Sequence, residues 1–72
     1  MSGTASQKTI FIEDVGTAYT YVGEAATKAN RAIAMWRLRK MTYTGGLTEI
    51  QWANGTEEYD KIWNDRATYA YL

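Results

Sequence analysis

Apolar and polar residues alternate in two stretches on either side of a glycine pair. Trp36 and Leu38 alternate with Arg37 and Arg39, Ile50 and Trp52 alternate with Glu49 and Gln51, and Gly45-Gly46 stands between them. Successive strand side chains point to opposite faces, and glycine supplies the positive φ of a tight turn, so this pattern predicts a hairpin. In this reading Trp36, Leu38, Ile50 and Trp52 share one face. Arg37, Arg39, Glu49 and Gln51 share the other, where opposite charges meet across the strands.

The same periodicity places the other elements. Residues 1–8 are small and polar and read as a flexible arm ahead of a single domain, 9–72. Thr9-Ile10-Phe11-Ile12-Glu13 is rich in β-branched and aromatic residues and reads as a strand, apolar on both faces, broken by Asp14-Val15-Gly16. Thr17 to Val22 reads as a second strand, with Tyr19 and Tyr21 on one face and Gly23 as its end. Two readings stay open for Glu24 to Ile33, whose alanines favour helix. A helix over 24–40 aligns Ala26, Ala29, Ile33 and Trp36 but turns Leu38 away from Trp36. A loop or short helical turn at Glu24–Arg31 followed by a strand at Ile33–Tyr43 keeps Trp36 with Leu38. In that preferred reading Met41 and Tyr43 break the parity, which predicts a bulge near Lys40. After the turn Asn54-Gly55, Thr56 caps a short helix with Glu57 and Glu58 in its first turn and Tyr59, Ile62 and Trp63 on one side, closing at Asn64-Asp65. Thr68 to Leu72 reads as a last strand. The expected fold is therefore mainly β: a small antiparallel barrel or meander of about five strands, with one short helix before the last. Barrel closure is favoured because it removes exposed edges. The alternative is α+β, a helix–hairpin–helix arrangement like that of phage head–tail joining proteins.

Composition narrows what such a domain can use. A chain of 72 residues buries only about 60–65% of its unfolded surface, and domains below about 70–80 residues usually need a staple. With no Cys and no His, disulfides and thiolate–imidazole zinc sites are excluded, and the redox compartment is not revealed. Aromatic packing and oligomerisation remain, so melting is expected to depend on concentration. Eight basic residues balance eight acidic ones, which removes any long-range pull toward nucleic acid or membrane and does little to hold copies apart. No apolar run approaches the ~20 residues of a membrane helix. The first residues carry neither a secretory core nor a myristoylation glycine, so the chain is expected to stay where it is made or to leave inside a larger object.

The order of aromatic and turn signatures points further. Tyr19-Thr20-Tyr21-Val22-Gly23, Trp36-Arg37-Leu38-Arg39, Trp52-Ala53-Asn54-Gly55 and Tyr59-Asp60-Lys61-Ile62-Trp63-Asn64-Asp65-Arg66 follow one another along the chain. This order resembles small virion structural proteins of tailed bacteriophages. Those proteins share a Tyr-x-Tyr-x-Gly segment, a Trp-x-Ile-x-Arg strand, a Trp-Ala-Asp-Gly turn and a Phe-Asp-x-x-Trp-x-x-Arg close. Leu38, Asn54 and Tyr59 stand where the family has Ile, Asp and Phe. The resemblance spans roughly residues 17–71 and carries no catalytic motif. It implies a non-enzymatic structural component of a capsid, neck or tail. Such a component is made in the cytoplasm of a bacterial host and acts by contact with copies of itself or with a larger coat or tail protein.

Candidate residues follow from these two lines. Ile10, Phe11 and Ile12, with Tyr69 and Tyr71, are candidate interaction residues: the first three form an apolar strand, and the tyrosines have one apolar and one wet end. Trp36, Trp52 and Trp63 are expected in the core. Arg37, Arg39 and Lys40 are a weak candidate phosphate contact, against the reading of a solvated strand face opposite Glu49. A nucleic-acid-binding module that uses these arginines and the tyrosine faces is the competing function. Asp60 is expected to cap or to pair with Arg66, and Arg66 to lie over Trp63. Glu57, Glu58, Asp60 and Asp65 lack the spacing of a calcium loop and any partner nucleophile, so neither a metal nor a cofactor nor catalysis is expected.

Overall fold

The computed structural model describes residues 7–72. Four antiparallel strands, β1 (Lys8–Val15), β2 (Tyr19–Ala26), β3 (Arg37–Thr44) and β4 (Leu47–Trp52), form one open sheet in the order β1-β2-β3-β4. The chain is thus mainly β and runs as a meander. A 3₁₀ helix at Trp63–Thr68 precedes the last residues. Residues 1–6 of the expected arm lie outside the described residues, and Lys8 already opens β1.

The β3–β4 hairpin forms where expected, but its faces are not those expected. Its loop is Gly45-Gly46, with φ of 55° and 84°, the double positive φ of a type I′ turn. Thr44 therefore faces Leu47, Met41 faces Ile50, and Arg39 faces Trp52. A two-residue loop makes every facing pair one even and one odd residue, so the even residues of β3 share a face with the odd residues of β4. Ile50 and Trp52 consequently lie with Arg37, Arg39 and Met41, while Gln51 and Glu49 lie on the side of Trp36 and Leu38. Pairing of β3 with β2 runs without interruption from Tyr19↔Thr42 to Glu24↔Arg37, so Lys40 carries no bulge.

Three other boundaries move for identifiable reasons. Gly23 does not end β2: it faces Leu38 in mid-sheet, and a Cβ there would lie 2.5 Å from Trp63 Cε3 and 2.8 Å from Cζ3. Its role is to let the indole lie flat on the sheet. Glu24 to Ala26 thus belong to β2, and the helix over 24–40 does not form. The helix expected from Thr56 is displaced to Trp63–Thr68 because Lys61 pairs with Trp36 in an isolated antiparallel bridge. Trp36 N donates to Lys61 O and Lys61 N to Trp36 O, each at 2.9 Å, which keeps the backbone extended up to Ile62. The strand expected at Thr68–Leu72 is reduced to the bridge Ala53↔Tyr71.

The aromatic core cluster lies on one face of the sheet. Phe11 stacks on Trp36, with centroids 4.8 Å apart, and meets Trp63 edge-on at 5.3 Å. Tyr21, Ala25, Leu38 and Ala53 complete the cluster, and Tyr69 and Tyr71 pack against it. The buried indole of Trp36 donates to Asn30 O at 2.9 Å, so its polar atom is satisfied. Trp36 and Trp63 are core residues as expected. Trp52 is not: the hairpin register turns it to the opposite face, where it is only half-buried.

Candidate interaction surface

Among the described residues no strand or helix lies over the opposite face of the sheet; at one end Tyr59 reaches over Lys8 and Arg37, and Glu57 comes within 3.9 Å of Arg37. The β1–β2 register pairs Ile10 with Glu24, Ile12 with Val22 and Asp14 with Thr20. Continued through β3 and β4, this face carries Ile10 and Ile12, then Val22 and Glu24, then Arg37, Arg39 and Met41, then Ile50 and Trp52. Ile10 is 53% exposed, Ile12 67% and Ile50 51%. The central row is shielded by its neighbours: Val22, flanked by Ile12 and Arg39, is buried.

Charge on this face is internally matched. Glu24 accepts from Arg37 Nη2 and from Arg39 Nη1, each at 2.5 Å. The hydrogen bond from Arg39 and then that from Arg37 hold the Glu24 carboxyl below the ordinary carboxylate range against the opposing effect of burial. Both guanidinium groups also lie over the Trp52 ring, at 5.4 and 5.5 Å, and Arg37 lies 5.0 Å over Tyr59. Arg37 Nε is buried without a hydrogen-bond partner. At the other end, the buried Thr20 hydroxyl donates to Asp14 Oδ1 at 2.7 Å and shares a 2.8 Å hydrogen bond with the Tyr43 hydroxyl. The result is a hydrogen-bonded, nearly neutral surface with exposed isoleucines at both margins.

The expected site residues divide between the two faces. Ile10 and Ile12 are exposed on the open face, whereas Phe11 is half-buried in the core. Tyr69 and Tyr71 both have their hydroxyls engaged internally: Tyr69 accepts from Ile62 N at 2.8 Å, and Tyr71 donates to Arg66 O at 2.7 Å. Burial pushes the Tyr71 phenol well above its ordinary value. Arg37 and Arg39 occupy the open face, but Lys40 points to the other one, 4.4 Å over the Tyr19 ring. The three cations therefore do not form one patch. Arg66 lies over Trp63 as expected, at 4.6 Å. Its carboxylate partner is Glu13, bound through Nε and Nη2 at 2.8 and 2.9 Å, while Asp60 pairs with the buried Lys61. Glu49 faces Thr42, and it is Glu24 that meets the arginines.

Glu24, placed in a loop by the sequence reading, is the residue on which the charged part of this face depends. The odd-sum rule of a two-residue turn, followed outward from Gly45-Gly46, is the signal that locates Trp52 beside the arginines. Among the described residues no group of His, Cys, Asp or Glu is arranged to hold a metal and no pocket is found. No helix among the described residues is long and apolar enough to cross a membrane. Comparison with family models, curated proteins and solved structures returned no match.

Proposed function

We propose that this protein is a non-enzymatic structural subunit of a tailed-bacteriophage particle, in the capsid, neck or tail, that works by protein–protein contact. The observation that carries this reading is the open sheet face, with Ile10, Ile12 and Ile50 each more than half exposed. A chain this short has only one layer to spend on its sheet, and that layer covers the opposite face. Exposed apolar side chains at both margins of one sheet face favour burial against another protein. The order of aromatic and turn motifs supplies the particle context. The partners are other virion proteins, either further copies or a larger coat or tail protein. In the assembly the sheet gains the fifth strand that the lone Ala53↔Tyr71 bridge only begins.

The competing reading, a nucleic-acid module, is disfavoured by the pairing of Arg37 and Arg39 with one carboxylate and by the opposite orientation of Lys40. Mass spectrometry of purified particles, with copies counted, tests the proposal. Copies on the order of hundreds fit capsid decoration or a tail tube, and about a dozen fit a neck ring. Absence from the particle removes the reading. Affinity for DNA that falls steeply with salt would replace it with the competing one.

A further inference from the structure

We propose that β1 is a homodimerisation edge: two copies join β1 to β1, antiparallel about Phe11, and merge their sheets into one. This deepens the contact reading above by naming a second copy as partner, and it rests on that reading for its use in assembly. β1 has no strand on its outer side among the described residues. It is eight residues long, pairs with β2 without interruption and contains neither a proline nor a bulge; its charges, Lys8, Glu13 and Asp14, stand toward its two ends and leave Thr9 to Ile12 uncharged.

Symmetry restricts how such an edge can meet itself. Two antiparallel strands related by a twofold axis must place that axis perpendicular to the sheet, midway between one residue and its own copy, so facing residues share parity. Centred on Phe11, Lys8 faces Asp14 of the second copy, Ile10 faces Ile12, Thr9 faces Glu13, and each of these contacts occurs twice. Centred on Ile10, Lys8 faces Ile12. Centred on Ile12, Asp14 faces Ile10 and Glu13 faces Phe11. Only the Phe11 register sets opposite charges across from each other and isoleucine against isoleucine. Glu13 opposite Thr9 leaves no bare charge, because Arg66 already holds that carboxylate bidentate. Asp14 is oriented by the Thr20 hydroxyl, and Ile10 and Ile12, 53% and 67% exposed, are available to bury each other.

The chain has no cysteine, so introduced thiols report the register without background. Directly facing strand residues have Cα atoms about 4.5–5.5 Å apart, within disulfide reach. Ile10→Cys and Ile12→Cys are prepared as full-length single variants and oxidised alone and mixed. The expected result is a heterodimeric disulfide in the mixture at several times the yield of either variant alone. Analytical ultracentrifugation gives the second arm. Lys8→Asp is expected to weaken the dimer about tenfold, because like charges then face each other twice, and Lys8→Asp with Asp14→Lys to restore it. Circular dichroism confirms that each variant is folded. A folded chain that stays monomeric at every concentration, or a mixture that cross-links no better than the single variants, overturns the proposal. The particle census fails separately: a monomer found in particles sinks only the dimer, and a dimer missing from particles sinks only the particle role.

Discussion

The two faces of this sheet use similar residues to opposite ends. On one, Phe11, Leu38 and Trp36 lie beneath Trp63 and the C-terminal tyrosines, and Trp36 and Leu38 are almost wholly buried. On the other, Ile10, Ile12 and Ile50 stand more than half exposed beside arginines that pair with Glu24 within the chain. The difference teaches that the apolar content of a small β domain need not all serve its own stability. Here the covered face holds the fold together, and in the proposed role the open face and its free edge are left for neighbours.

This contrast is broken most severely from the covered side. Trp36→Ala is expected to cost about 3–5 kcal/mol. Total stability at usual per-residue values is roughly 4–11 kcal/mol for a chain of 72 residues, so thermal melting should find this variant largely unfolded. Gly23→Ala comes next. Its new methyl meets the Trp63 ring at 2.5 Å, and a ring flanked by Phe11 and Trp36 has little room to retreat. Denaturant titration should show a loss of about 1–3 kcal/mol, with Gly23→Val worse.

Acid sharpens the comparison at intermediate scale. The hydrogen bonds from Arg39 and Arg37 lower the Glu24 carboxyl, and that from Arg66 lowers Glu13. The unfolded chain, with carboxyls near about 4.3, takes up protons first as pH falls. The stability these pairs supply is therefore complete above that value and is lost as pH falls through the lower folded-state values. Glu13 is the more exposed of the two, so Glu24 carries the larger share. Glu24→Gln should flatten the acid limb of a stability–pH curve more than Glu13→Gln does. The smallest effect is expected on the open face: Ile12→Ser and Ile50→Ser should shift unfolding free energy by no more than about 0.5 kcal/mol. A loss as large as that of Gly23→Ala would mean that the open face also holds the fold.

Much of this arrangement is legible in the residues, and the misreadings have physical sources. The hairpin and the β character of residues 9–13 and 19–22 follow from alternation, and the core roles of Trp36 and Trp63 from a small domain's need for large apolar side chains. Asp14 and Val15, expected to break the first strand, continue it. Alternation within each strand does not fix which faces meet across the hairpin, and Trp52 lies on the face opposite to the one expected. The two-residue loop between Thr44 and Leu47 alone requires opposite parity, and so puts Trp52 over the arginines. Gly23 looked like a breaker because its missing side chain is used by Trp63, forty residues away in sequence, and no local pattern carries that contact. The displaced helix has the same origin. Thr56, Glu57 and Glu58 form a sound helix start, but the long-range bridge between Trp36 and Lys61 holds the chain extended past it.

The central claim is that the covered face keeps the fold while the open one holds neighbours. Its most direct test is to measure both properties in a single variant, Ile12→Asp, following its incorporation into assembled particles and its melting as a dilute chain. The account predicts incorporation reduced at least about tenfold, with a melting temperature within about 4 °C of the parent. Incorporation equal to the parent's would contradict it.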